Sequence, residues 1–262
     1  MSLQERGKLF ESGTVQEVKQ FLKENPAWDV NEDLRDGYTA LHLACGYGHH
    51  EIVSVLVGHP KINVNQKTTH GFTPFLLGCY NERAEAVNVL LKDPRVDINM
   101  VDNNGRTPLW RASYVGYVRV IKWMIASGRE ITNLDRKGKI WIDDEEYTAI
   151  EIARHRGHTE VVSLLERFIE NQSNTRHRVR AELGLVDKDA AELFVRTVFL
   201  CDNFFRLMSD DHSDGNRFFR IISRLPMELQ MALCHRVYGS PKNNIPSKNS
   251  EPAFRDLARV LA

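Results

Sequence analysis

The sequence predicts an all-α repeat solenoid, a stack of short helix pairs carrying hairpin fingers, followed by a small helical C-terminal domain. Three observations predict it. Asn31, Asn65, Asn99 and Asn133 recur every 34 residues. Pro26, Pro60 and Pro94 keep the same interval, with Gly128 at the next step, and so do Thr39, Thr73 and Thr107. A period in this range marks an array whose units bury their apolar faces only by stacking on one another. The expected function moves accordingly from chemistry in one pocket to recognition along an extended surface.

The elements follow in order. Residues 3–12 supply a first helix without the threonine motif and residues 15–24 a second; the polar face Gln4, Glu5, Arg6 and Lys8 suits an N-terminal cap over about residues 3–33. Full units then start near Gly37, Gly71, Gly105 and Tyr147. Gly37-Tyr38-Thr39-Ala40-Leu41-His42-Leu43-Ala44 is the fullest copy. Gly71-Phe72-Thr73-Pro74 and Gly105-Arg106-Thr107-Pro108 open the next two, and Tyr147-Thr148-Ala149 opens the last without the glycine. Glycine supplies a turn of positive φ, threonine an N-cap, and proline the first helical position. A second helix follows in each unit. Val18, Ile52, Ala86, Val120 and Val161 form one apolar row, Phe21, Val55, Val89, Trp123 and Leu164 another, and Leu22, Leu56, Leu90, Met124 and Leu165 a third. Offsets of 3 and 4 residues place them on one helix face. Residues 60–65 and 94–99, each opening on proline and closing on asparagine, then end the helix and lead into an extended finger.

The Thr-Ala-Leu-His-Leu-Ala segment at 39–44 and the asparagine-terminated loops resemble the ankyrin-repeat family over about residues 3–168, with a period one residue above that family's usual 33. The tetratricopeptide family shares the 34-residue period, but its Trp/Leu/Gly/Tyr signature is absent. The resemblance implies a curved stack of helix pairs with hairpin fingers along one edge. It implies protein binding through the finger tips and the concave face made by the first helices. It also implies a structural role for His42, bonding neighbouring loop backbone. Trp110 replaces that histidine in the third copy and either fills the same space or protrudes.

The resemblance implies that the residues closing each first helix face the groove; by register these are Gly46 and Tyr47, Tyr80 and Asn81, Tyr114 and Val115, then His155 and Arg156, and the finger positions before each threonine add Tyr38, Phe72, Arg106 and Tyr147. Tyrosine- and arginine-rich composition fits an interface core, the alternative being that some rings pack between neighbouring fingers. The step from Thr107 to Thr148 is 41 residues, and the extra length lies wholly within 134–147. Lys137-Gly138 reads as a turn and Ile140-Trp141-Ile142 as a strand, giving a hairpin about twice the usual length. Trp141 either anchors a partner or folds back on the chain. The candidate protein-binding set is therefore Tyr38, Tyr47, Phe72, Tyr80, Asn81, Arg106, Tyr114, Trp141 and Tyr147.

From about residue 169 to 262 the repeat stops and apolar helical patterns take over, at 189–208, 216–225, 226–238 and 253–261. Leu225-Pro-Met-Glu-Leu-Gln resembles the opening of an F-box, which would imply recruitment of a ubiquitin-ligase core; Leu-Pro-x-Glu-Leu is also an ordinary helix start.

Composition limits the alternatives. The 262 residues carry 35 Lys plus Arg against 35 Asp plus Glu, a balance that argues against nucleic-acid or membrane binding by charge alone. No apolar run approaches a membrane span, and the first residues carry no signal-peptide core. Cys45, Cys79, Cys201 and Cys234 lack metal-ligand spacing and read as reduced, mostly buried thiols of a cytosolic or nuclear protein; a monomer is expected as well. There is no phosphate-cradling glycine loop, zinc-protease motif or nucleophile elbow, and 210–215 lacks the glutamate that a calcium loop requires. The expectation is a non-enzymatic scaffold with no cofactor and no metal. The alternative is an adaptor that holds a substrate on the array and recruits a ubiquitin ligase or other complex through the C-terminal helices.

Overall fold

The computed structural model describes residues 1–132, 134–140 and 145–186, together with positions 190, 193, 230, 231, 233 and 234. The chain divides into two compact units, Met1–His177 and Arg178–Ala262. In the first, helices come in pairs: α1 (Leu3–Ser12) with α2 (Val15–Glu24), α3 (Ala40–Tyr47) with α4 (His50–Val57), α5 (Pro74–Tyr80) with α6 (Ala84–Leu91), α7 (Pro108–Val115) with α8 (Val118–Ala126), and α9 (Ala149–His155) with α10 (Thr159–Glu170). A further helix, α11 (Gln172–Glu182), follows. Each first helix packs on the next first helix, from α1 to α3, α5, α7 and α9; the second helices do likewise from α2 to α10. That is the nearest-neighbour stacking expected of a solenoid.

The threonines start the first helices as expected. Thr73, Thr107 and Thr148 accept the backbone N–H of Leu76, Trp110 and Glu151 at 3.2, 3.0 and 3.3 Å. Pro74 and Pro108 stand in the first turn, where the missing N–H has no partner to lose. Each such cap contributes about 1 kcal/mol. At the N-terminal end, Ser2 with Glu5 and Thr14 with Glu17 form reciprocal capping boxes. Trp28 lies 5.6 Å from Phe10 and 5.1 Å from Phe21, so three rings seal the first pair.

One detail of the second helices differs from the sequence reading. Val18, Ile52, Ala86, Val120 and Val161 are buried, as are Leu56, Leu90, Met124 and Leu165. Val55, Val89 and Trp123 are only half-buried, while Val53, Val87 and Ile121 are fully enclosed. Each inner second helix is gripped both by its own first helix and by its neighbours. The buried arc is therefore wider, and rotated one residue, relative to a single 3–4 stripe.

The recurrent asparagines tie the loops together. Asn31 donates to the Lys61 carbonyl at 2.8 Å and accepts from the Asn63 N–H at 2.7 Å. Asn65 repeats this with Arg95 and Asp97 at 2.7 and 2.8 Å, and Asn99 with Glu130 and Thr132 at 3.0 and 3.0 Å. One amide uses both ends to join consecutive repeats, which accounts for asparagine recurring at this position in three units.

The first three fingers are tight turns. Leu34, Thr68 and Asp102 donate their N–H to the carbonyls of Tyr38, Phe72 and Arg106 at 2.9, 2.9 and 3.1 Å. Gly37, at φ 80°, approaches the second finger so closely that a Cβ would lie 2.8 Å from the Thr68 Cα. The fourth finger forms the one ladder among the described residues: β1 (Gly138–Lys139) pairs antiparallel with β2 (Glu146–Tyr147), Gly138 facing Tyr147. Lys137-Gly138 is therefore not the hairpin turn, because Gly138 already belongs to a strand. Of the strand expected at Ile140-Trp141-Ile142, only Ile140 lies within the described residues, and it follows the ladder without belonging to it.

In the second unit, Val179, Val186, Ala190, Gln230 and Cys234 are buried. The helical segments expected at 189–208, 216–225, 226–238 and 253–261 lie outside the described residues apart from the isolated positions given above. Among the described residues, no helix is long and apolar enough to cross a membrane.

Candidate functional site

Stacking α3, α5, α7 and α9 side by side lines up their C-terminal turns. Tyr80, Tyr114 and His155 form one row along this face; Tyr47, Asn81, Val115 and Arg156 form the next. Tyr47 is 51% exposed, its ring stacked on His49. Tyr80 is 37% exposed, and the Arg111 guanidinium carbon sits 4.7 Å from its ring centroid and 5.0 Å from that of Phe72. Tyr114, half-buried, stacks on Trp110 at 5.3 Å and carries the Arg156 guanidinium 4.6 Å from its centroid. Asn81 is half-buried beside Gly46. Tyr38 is half-buried against His42, and Tyr147 lies 5.0 Å from His155. Burial is the main cause raising the Tyr38 phenol pKa. Trp141 lies outside the described residues.

Arg106 stands apart from the others. It is 1% exposed, and its Nε donates to Asp102 Oδ2 at 2.8 Å. The structure therefore places it inside the finger, where it positions other groups and offers no surface to a partner. Asp102 is the centre of this cluster. Its Oδ1 accepts the N–H of Asn104 and of Arg106 at 2.9 and 3.1 Å; its Oδ2 also accepts Arg111 Nε and Nη2 at 3.2 and 2.8 Å. Burial, then the nearby Arg106 charge, lowers the Arg111 pKa, and Asp102 opposes that shift. Arg111 was legible as an anomaly, since Leu43, Leu77 and Ile152 fill its position in the other copies. Its partner was not legible, because Asp102 belongs to a different element and replaces Thr68 of the preceding finger.

His42 has the structural role expected of it. Its Nδ1 accepts the Thr39 N–H at 3.1 Å, and its Nε2 donates to the Phe72 carbonyl at 3.0 Å. Only the neutral ring can do both, since a proton on Nδ1 would displace the Thr39 bond. Burial is the main cause lowering its pKa from 6.5 to about 4. The unfolded chain therefore binds a proton more readily between these values. The histidine's contribution is complete above about pH 6.5 and is lost as the pH falls toward 4, by on the order of 3 kcal/mol. Urea midpoints of wild type and His42→Leu, compared between pH 7 and 4.5, should show a much shallower decline in the variant. Equal slopes would mean that His42 titrates normally.

Trp110 takes the place of the histidine and does its work. Its Nε1 donates to the Tyr147 carbonyl at 2.8 Å, as His42 does to the Phe72 carbonyl. It fills the space, at 1% exposure, and does not protrude. The larger ring suits a larger finger: a Cβ on Gly138 would lie 2.6 Å from Arg106 Cγ and 3.2 Å from Trp110 Nε1. Lys139 also donates its N–H to the Asn104 carbonyl at 3.2 Å. The base of the long finger is thus clasped on both strands by the preceding unit.

Cys45 and Cys79 are buried free thiols, burial pushing both pKa values up; a raised thiol pKa is unsuited to nucleophilic chemistry. What the face offers is contact: flat rings and guanidinium planes held in fixed positions. The comparisons agree with this architecture. The family model for ankyrin repeats in three copies matches residues 10–102, and that for ankyrin repeats in many copies matches residues 83–125. No curated protein matches the chain. Stacked helix pairs, threonine-led first helices, asparagine-bridged loops and these matches lead to one conclusion: over residues 10–125, the chain is an array of ankyrin repeats.

Proposed function

We propose that this chain is a non-enzymatic protein-interaction module that holds a partner protein in the groove formed by α3, α5, α7 and α9. The observation that carries the reading is the pair of exposed tyrosines, Tyr47 and Tyr80, on a rigid face otherwise made of packed helices. Tyrosines and arginines with locked geometry lose little entropy on contact, which is why such residues dominate interface energetics. The fourth finger, clasped at its base by Trp110 and Arg106, extends the contact surface and adds specificity. Buried free thiols favour a reducing compartment, cytosolic or nuclear.

Substituting Tyr47, Tyr80 and Tyr114 together by serine should weaken capture of a partner at least tenfold while leaving the far-UV circular dichroism of the array in place. Unchanged capture would show that the groove is not the contact surface. A second reading, an adaptor whose C-terminal region recruits further machinery, draws on the division of the chain into two units. Under it, the triple substitution releases one partner from the full chain and leaves another bound.

A further inference from the structure

Deepening the groove reading and resting on it, we propose that the partner segment is acidic, an aspartate- or glutamate-bearing stretch whose carboxylate docks on Arg156.

The two arginines of this face, Arg111 and Arg156, are engaged differently. Both tyrosines of the first row are covered by an arginine from the next repeat, Tyr80 by Arg111 and Tyr114 by Arg156. The two pairs look alike but differ in electrostatics. Arg111 is 3% exposed and delivers Nε and Nη2 to Asp102. Arg156 is exposed, and among the described residues no carboxylate pairs with it. Its guanidinium carbon lies over the Tyr114 ring, 4.6 Å from the centroid, which holds the group at the groove. Among the described residues no acceptor takes its N–H edge, whose forked geometry matches a carboxylate.

The groups beside it on the chain are engaged elsewhere. Arg154 and His155 end α9, and Arg156 is the capping residue that follows. Arg154 is neutralised by Glu166 at 2.6 Å, and His155 rests against the Tyr147 ring. The acidic residue on the same helix, Glu151, is turned back to the helix start, where it accepts the Thr148 N–H at 2.8 Å. Among the described residues, the C-terminal end of the groove therefore presents an arginine over Tyr114 with no carboxylate paired to it, and charge complementarity selects an acidic segment. The other end has its cation answered: Arg35 faces Glu11 at 3.7 Å.

The test uses the full chain and a phage-displayed library of random dodecapeptides. Sequences enriched on wild type should carry an excess of aspartate and glutamate. Synthesised with a fluorescent label, they should bind about tenfold more weakly to Arg156→Gln, with Arg156→Lys in between, and binding should weaken as sodium chloride is raised. Enriched peptides that lose binding on the triple tyrosine substitution, yet lack acidic residues or ignore Arg156→Gln, overturn the acidic-segment proposal and leave the groove reading standing. Peptides indifferent to the triple substitution, or no enrichment at all, overturn both. Tighter binding of a heparin fragment than of any selected peptide would also overturn it, by showing a general polyanion site.

Discussion

Replacing Asp102 by alanine should cost the array about 3–5 kcal/mol, read as a fall in the urea midpoint. The carboxylate receives two guanidinium groups and two backbone N–H groups, at 0% side-chain exposure. Its removal leaves Arg106 and Arg111 facing each other in a site closed to water, each with lost hydrogen bonds and with mutual repulsion added. The neighbouring repeat supplies the control. There the equivalent three positions are Thr68, Phe72 and Leu77, and the Thr68 hydroxyl accepts the Phe72 N–H at 3.1 Å, the bond that Asp102 makes to Arg106. The triple variant Asp102→Thr, Arg106→Phe, Arg111→Leu should therefore regain most of the lost stability, because a packed apolar cluster replaces a buried ion cluster at little or no net cost. A single Asp102→Ala variant with a wild-type midpoint would mean that water reaches the cluster. The ion cluster also positions Arg111 over Tyr80 and Phe72, so the stable triple variant should lose the rigidity of that part of the groove.

Replacing Trp110 by alanine should cost about 3–5 kcal/mol as well, and its effect should be centred on the fourth finger. The ring is enclosed, stacks on Tyr114 and donates to the Tyr147 carbonyl, so one substitution removes core volume, a groove support and a clasp on β2. Trypsin should then cut after Arg136, Lys137 or Lys139 well before the rest of the array opens, whereas in wild type these sites should be protected by the hairpin base. Trp110→His should restore the carbonyl bond that His42 makes in the first copy, and with it part of the protection, without refilling the volume. Simultaneous cleavage throughout the array in Trp110→Ala would show that the finger is not held separately.

Much of the architecture was legible from residue spacing alone, for a physical reason. In a solenoid the same local problem is solved again in every unit, so each solution reappears at a fixed interval. The threonine caps, the asparagine bridges and the division of the first pair at Ser12 and Val15 all depend on neighbours at set sequence distances. The rotation of the buried arc toward Val53, Val87 and Ile121 was not legible, because it depends on which sides of a helix its neighbours cover. The hairpin turn was misplaced for a similar reason. Gly138 has the composition of a turn, yet it is needed in the strand, where only a residue without Cβ fits against Arg106 and Trp110.

By itself, then, the sequence determined the period, the helix starts, the joints between repeats and the face on which tyrosines gather. Only the tertiary structure decided which polar groups on that face are already satisfied. Arg106 and Arg156 are both arginines at plausible contact positions; one is enclosed beside Asp102, the other lies open on Tyr114. That distinction arises from contacts across 4 to 42 residues of chain, and a side chain's charge is free for a partner only when no neighbour in space has answered it.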